Sequence, residues 1–321
     1  MLHVPWLYLP PTIAYLPSSF SGDFAKMPDA ALDIIPRDLR FDLIENADAA
    51  WFGGDPLKSA IWDGFAVLLP DGERFFIRSL RQYIDQIDDP MVRQDIQGYA
   101  VQEAFHSREH EAYNQALRRL GHDVDAMEAE ARAVLSEATG AFSRLLVTCA
   151  LEQWTYALAR AWLLRPHLYR DSRPAYRRLW IWHALEEIEH SSVSLRVLHA
   201  VTPHLSGRRR YLARIRGMNF VLARVLPMAL RNIVAMARTS GVAMGARDWL
   251  RLMWLLIGQP GVARAALLPV LAYYRPGYSG DRPEDARLVQ QGRAALAAEL
   301  GEAATASVYR LRGAGAAHVA A

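Results

Sequence analysis

The chain has 321 residues, of which 52% are hydrophobic and 22% are charged, and its formal net charge is +3. This composition is that of a globular protein and excludes a disordered or collagen-like chain. The small net charge does not indicate a nucleic-acid partner, and the single cysteine, Cys149, excludes a disulfide framework or a thiolate zinc cluster within one chain.

Residues 1–54 are predicted to form an irregular arm. Prolines recur at positions 5, 10, 11, 17, 28 and 36, and the apolar residues follow no steady period, which favours extended segments wrapped over a core. The first twenty residues lack the basic start and the uninterrupted apolar stretch of a signal peptide. No run of about 18 uncharged apolar residues indicates a membrane-spanning helix, so we expect the protein in the cytoplasm.

Residues 55–204 are predicted to form a metal-binding bundle of helices. Caps, prolines and apolar periodicity predict helices over 55–69, 73–87, 91–120, 124–138, 141–165 and 174–200. No pattern of strands alternating with helices is present, so the predicted fold is all-α, with four long helices packed antiparallel.

The C-terminal third is less informative. Residues 205–300 contain two apolar stretches with interspersed arginines, 211–238 and 247–274. We expect a helical extension that packs on the bundle. Contact with a membrane surface or a partner is the alternative, because basic residues lie beside amphipathic helices. Residues 301–321 are predicted to be a flexible tail.

Two of the predicted helices each carry one carboxylate and two imidazoles on a single face. At about 100° per residue, each trio occupies a stripe about 60° wide. The trios are Glu103, His106 and His110 on one helix, and His183, Glu187 and His190 on the other.

Two further glutamates complete a recognisable set of donors. Glu73 opens a helix, and Glu152 lies in apolar surroundings, where an unpartnered carboxylate costs several kcal/mol. A lone Glu from each of two helices, with Glu-x-x-His from each of two others, is the ligand set of carboxylate-bridged di-iron bundles. The residues that supply this set are Glu73, Glu103, His106, Glu152, Glu187 and His190. The alternative for each residue alone is a solvated helix face or a favourable first-turn position.

Four ionised glutamates would neutralise two divalent cations, and carboxylate with imidazole suits iron, manganese or zinc. We expect two divalent ions, with iron preferred. Glu186, which lies next to the second stripe, and His110, which lies within the first, are additional candidate ligands.

These residues resemble the ligand set of ferritin-like di-iron oxygenases, in particular the arylamine N-oxygenase group. That group ends its pattern with His-x-x-x-Glu-x-x-His, so the resemblance implies His183 as a seventh ligand and a ferritin-like bundle, whereas His110 departs from the pattern. Over about residues 38–280 the chain also resembles a bacterial family described as predicted metal-dependent hydrolases. The segments that carry this resemblance are PDGERFF, QEAFHSREHEAYN, HALEEIEHSSVSLRV and, more weakly, YYRPGYSG.

We therefore expect a di-iron enzyme that activates oxygen to oxidise a small organic substrate. The first alternative is a two-metal-ion hydrolase, and the second is iron handling of the ferritin type. A charged helical bundle without metal is the remaining one. No nucleic-acid partner is expected, and the sequence is compatible with a homodimer.

Overall fold

The computed structural model describes residues 32–259 and 261–302, and α-helices carry the regular structure of these residues. The prediction of an all-α fold is therefore confirmed for the described part of the chain. The arm up to residue 31 and the predicted tail from 303 to 321 lie outside the described residues. The helices are α1 (Pro56–Ala66), α2 (Leu69–Arg81), α3 (Pro90–Arg119), α4 (Val124–Ser136), α5 (Ala141–Leu163), α6 (Pro174–Glu189), α7 (Val193–Val201), α8 (Gly207–Phe220), α9 (Leu226–Thr239), α10 (Ala246–Ile257), α11 (Val262–Ala272) and α12 (Asp285–Leu300).

Four helices surround the interior that matters for function. α2 packs on α3 and on α5, while α6 packs on α5 and on α3. The start of α3 shows why the chain becomes helical here: the Asp89 carboxylate accepts the backbone N–H of Met91, and Pro90 occupies the first turn. The ferritin-like character of this arrangement and the predicted division into four segments stay predictions.

Two predicted helix boundaries were wrong. The helix predicted over 55–69 was expected to end at Pro70. Pro70 instead lies in the first turn of α2, where the missing backbone N–H of proline costs nothing. The helix predicted over 174–200 is interrupted after Glu189, because Ser191 and Ser192 form a turn before α7. Serine side chains compete for backbone hydrogen bonds and favour such breaks, so His190 sits at the C-terminal end of α6 rather than inside a helix.

The described part of the arm, residues 32–54, is non-helical and lies against the bundle. Phe41, Leu43 and Trp51 belong to the main apolar core, and Arg37 is 1% exposed. The Arg37 backbone N–H donates to the carboxylate of Glu186 on α6. The arm therefore reaches into the polar interior of the four helices.

The C-terminal helices cover the outside of the bundle. α9 packs on α1, α8 and α11 pack on α5, and α12 packs on α6. α8 approaches α5 so closely that a Cβ atom at Gly217 would lie 2.2 Å from the carbonyl oxygen of Leu146. A π-helical turn, Val221–Val225, joins α8 to α9 ahead of Pro227, which cannot donate a backbone hydrogen bond.

The helical segment Gly207–Thr239 has 33 residues and is long and apolar enough to cross a membrane by length and composition alone. Only 39% of its most apolar window is buried within the protein. The core helix of a soluble protein can pass the same test, so the expected cytoplasmic location stays a prediction.

Candidate metal centre

The nine residues singled out by the sequence all lie in the interior of α2, α3, α5 and α6 or, for His190, at the end of α6. Each is 5% exposed or less. Donor atoms of six of the nine form two neighbouring groups, and within each group the atoms lie within 4.8 Å of one another. The first group is Glu73, His106 and His183, and the second is Glu103, Glu187 and His190.

Two carboxylates lie between these groups. Glu187 Oε1 is 3.2 Å from His183 Nε2, while its Oε2 is 3.5 Å from His190 Nε2. Glu103 Oε1 is 3.8 Å from His106 Nδ1 and 3.2 Å from His190 Nε2. The two candidate groups are therefore in contact with each other through the side chains of Glu103 and Glu187.

Glu152 belongs to the second side of this arrangement. Its Oε2 lies 3.5 Å from His190 Nε2, and its Oε1 accepts a short hydrogen bond from the Tyr99 hydroxyl. The apolar sequence around Glu152 indicated a buried position, and the residue is 2% exposed. The sequence contained no signal for Tyr99, which is also fully buried.

Many of the donor atoms have no hydrogen-bond partner among the described residues. Buried polar atoms are normally paired, and an unpaired one costs about 1–3 kcal/mol or more. A cation is the partner that suits carboxylate oxygens and imidazole nitrogens together, so the residues fit two divalent metal ions. The atoms concerned are both carboxylate oxygens of Glu73 and Glu103, one each of Glu152 and Glu187, His106 Nδ1 and His190 Nε2.

Each candidate imidazole ligand is held by one nitrogen and turns the other toward the carboxylates. Ligating histidines usually show this arrangement, because the outer hydrogen bond orients the ring and selects its tautomer. The outer pairs are His106 Nε2 with Glu186 Oε2 at 3.1 Å, His190 Nδ1 with Gln102 Oε1 at 3.0 Å, and His183 Nδ1 with His110 Nε2 at 2.8 Å.

Glu186 and His110, the two additional candidate ligands, therefore contact the imidazoles at the nitrogen that points away from the grouped carboxylates. Glu186 accepts from His106, from the indole N–H of Trp182 and from Arg37. His110 contacts His183, and its Nε2 also lies 3.6 Å from Glu73 Oε1. Both residues are placed to orient a ligand rather than to complete the two groups.

A buried ionic network connects the arm to this centre. The Arg37 guanidinium donates to Glu186 at 3.1 Å and to Glu189 at 2.7 Å. The Gln102 amide donates to Glu189 at 2.9 Å and accepts from His190 through its oxygen. Sequence reasoning missed Arg37 and Gln102, because the pairing partners are 87 or more positions away along the chain.

Burial sets the direction of the pKa shift for four groups of the centre. It raises the pKa of Glu73 and of Glu152 well above the usual value. It lowers the pKa of His183 and, more strongly, of His110. The pKa of Glu187 is instead held well below its usual value, because His190 and His183 outweigh its burial. Carboxylates in such surroundings require protons or cations beside them, and divalent metal ions would supply that charge.

An apolar cavity of about 110 Å³ reaches the centre from one side. His183 is the one candidate ligand in its wall, and Gly72, next to Glu73, also lines it. The remaining wall is apolar apart from Thr155 and the tryptophan N–H groups, and includes Phe76 and Leu158. A dry apolar cavity of about 150 Å³ holds benzene, so this one suits a small apolar group.

Comparison with known proteins gives one match. A family model described as predicted metal-dependent hydrolase covers residues 35–284. No curated protein and no solved structure matches the chain.

Proposed function

Because this chain belongs to the predicted metal-dependent hydrolase family, we propose that it is an enzyme that works with two divalent metal ions held between α2, α3, α5 and α6. The observation that carries this proposal is the set of buried carboxylate and imidazole atoms that have no hydrogen-bond partner among the described residues. Such atoms are costly in a folded protein unless a cation joins them.

Each ion has its own donors in this proposal. Glu73, His106 and His183 would hold one ion, and Glu152 with His190 would hold the other. Glu103 and Glu187 lie between and would contact both. The four glutamates carry four negative charges, which two divalent ions would balance.

Hydrolysis is the reaction that the family description supports, and we take it as the first candidate. Two bound divalent ions would lower the pKa of water and polarise a carbonyl or phosphoryl oxygen. The protein's own residues bind and orient: Glu186 and Gln102 fix the imidazole rings, and the walls of the cavity hold the apolar part of the substrate. Because the cavity touches His183 and no other candidate ligand, the substrate would approach the first ion.

Oxygen activation is the second candidate, and it was the main expectation from the sequence. The comparisons do not support it. Two observations favour it: the donor set is rich in carboxylates, and the adjoining cavity is almost entirely apolar. A dry wall protects reactive intermediates from side reactions with water.

Metal content tests the common basis of both candidates. The full chain, purified without added metal, should carry close to two ions per chain by elemental analysis. Glu152→Ala and His190→Ala should each lower this content sharply while retaining the helical circular dichroism signal. His122→Ala is a matched control, because His122 is also a buried histidine but is not one of the grouped donors. Full metal occupancy in both site variants would contradict the proposal.

The reaction is tested with the protein loaded with iron, manganese or zinc in turn. Turnover of small apolar esters or phosphoesters with zinc or manganese, without oxygen uptake, would support hydrolysis. Oxygen consumption by the ferrous protein that depends on an apolar organic compound would support oxidation instead. Leu158→Trp should fill the cavity and abolish either activity at unchanged metal content, whereas Leu164→Trp, on the exposed end of α5, should not.

A further inference from the structure

Exposed large apolar side chains are concentrated on two neighbouring helices. Single exposed apolar residues are normal on a protein surface, but contiguous patches mark interaction sites. Eight of the exposed large apolar residues in the described part of the chain lie on α10 and α11, which pack on each other. They are Trp249, Leu250, Met253, Trp254, Ile257, Leu267, Leu268 and Leu271, each between 40% and 75% exposed. We call this set the apolar face.

The helical period explains why these residues form one face. On α10 the five exposed residues fall within about 140° of the helix circumference. The opposite side carries Leu252 and Leu255, which belong to the buried core. On α11 the three exposed leucines fall within about 100°, and Ala266 and Val270 are buried on the other side. Each helix thus packs against the rest of the protein with one apolar side and exposes a second apolar side to solvent.

The charge of the chain is distributed very unevenly along the sequence, and the segment that contains this face is strongly basic. Residues 207–275 contain twelve arginines and one acidic residue, Asp248, which gives them a formal charge of +11. Since the whole chain carries +3, the remaining residues carry −8. Three of these arginines pair with the bundle, through Arg224–Glu137, Arg231–Glu130 and Arg251–Asp55.

Two further arginines, Arg247 and Arg264, border the apolar face without such partners. Arg247 and Arg264 are exposed, and neither side chain forms a hydrogen bond or an ion pair with another described residue. Arg264 also borders a cleft, together with Arg160, Arg165, Arg275 and Arg282, beside the exposed Leu268. Two acidic residues, Asp281 and Glu284, line the same cleft. Guanidinium groups bind phosphate through paired hydrogen bonds, so phosphate-bearing groups suit this border.

We propose that α10 and α11 dock this protein on the surface of an anionic lipid bilayer. The apolar face enters the interfacial layer, and the bordering arginines contact the phosphate headgroups. Trp249 and Trp254 suit this layer, because tryptophan prefers the boundary between hydrocarbon and water. A second copy of the chain is a poorer occupant, since it would bring two strongly basic segments together. The proposal does not depend on the reaction at the metal centre.

Flotation of the full chain with lipid vesicles tests this proposal. Vesicles of phosphatidylglycerol and phosphatidylcholine should carry the protein upward, and vesicles of phosphatidylcholine alone should carry much less. Raising the salt concentration should reduce binding to the anionic vesicles, because the Debye length falls from about 10 Å at 0.1 M to about 3 Å at 1 M. Equal binding to both compositions at all salt concentrations would overturn the role of the arginines.

Matched variants locate the docking surface. Leu250→Ser with Trp254→Ser should abolish flotation, whereas Met91→Ser with Leu164→Ser, which also removes exposed apolar residues, should not. Arg247→Gln with Arg264→Gln should weaken binding roughly 30-fold. Arg78→Gln with Arg81→Gln removes the same charge from exposed positions on α2 and should leave binding unchanged. Circular dichroism confirms folding of every variant, and flotation that all four variants retain would overturn the proposal. Sedimentation analysis that shows a dimer formed through the apolar face, together with no vesicle binding by this dimer, would also overturn the proposal.

Discussion

Replacing Arg37 by methionine tests whether the arm holds the metal centre in shape. The Arg37 side chain is 1% exposed and makes ion pairs with Glu186 and Glu189, which are equally buried. Methionine retains the length of the side chain but removes the charge and every donor. In the variant, the buried carboxylates of Glu186 and Glu189 would lose the positive charge of Arg37.

The expected magnitude follows from this burial. Removing one partner of a buried ion pair costs about 3–5 kcal/mol, because the remaining charge is unpaired. Arg293 also reaches Glu189, at 3.2 Å, but its side chain is 40% exposed, so it compensates only in part. Glu186 orients His106, and Glu189 orients His190 through Gln102. Loss of such supporting contacts typically weakens metal binding 10–100-fold.

Two measurements check this prediction. Urea unfolding should show the loss of stability, and competition with a chelator should show the loss of metal affinity. Arg40→Met is the control, because Arg40 and its partner Asp38 are each more than 50% exposed and such pairs contribute about 0–1 kcal/mol. Arg40 also lies 3.6 Å from the buried Glu109, which keeps a closer ion pair with Arg108 at 2.8 Å in this variant. Metal affinity equal to that of the wild type in Arg37→Met, despite lower stability, would refute the orienting role and leave only an anchoring role.

Three further predictions concern the rest of the molecule. Burial raises the pKa of Asp63 to about 7, so the stability that its protonated carboxyl contributes is complete at low pH and is lost as the pH rises to about 7. In urea unfolding, the stability of Asp63→Asn relative to the wild type should therefore increase by roughly 2–3 kcal/mol between pH 5 and pH 8. A difference that does not depend on pH would contradict this. Gly217→Ala places a methyl group 2.2 Å from the Leu146 carbonyl oxygen and should cost about 1–3 kcal/mol, whereas Gly245→Ala, with nothing nearer than 3.9 Å, should cost much less. Removal of the metal by a chelator should lower the thermal midpoint of the wild type, because a bound ligand at 100 times its Kd stabilises the folded protein by about 2.7 kcal/mol. A comparable shift in Glu152→Ala would show that the chelated ions do not bind at the candidate metal centre.

The helical period alone accounts for the candidate donors that lie close together along one helix. Residues three and four apart share a helix face, so Glu103 and His106, or Glu187 and His190, had to point in one direction once their segments were helical. Glu152 stood out because a lone carboxylate in an apolar segment needs a counter-charge. These are local properties, and they can be read from neighbouring residues.

The tertiary structure decided the features that depend on distant residues. Arg37 meets Glu186 from 149 positions away, and neither segment carries a pattern that specifies the other. The same holds for the contact between His110 and His183, which lie 73 positions apart. The cavity is likewise formed by helices from both halves of the chain, including α2, α5 and α9. Local periodicity determines which side of a helix is buried, whereas the packing of helices on one another determines which buried groups meet.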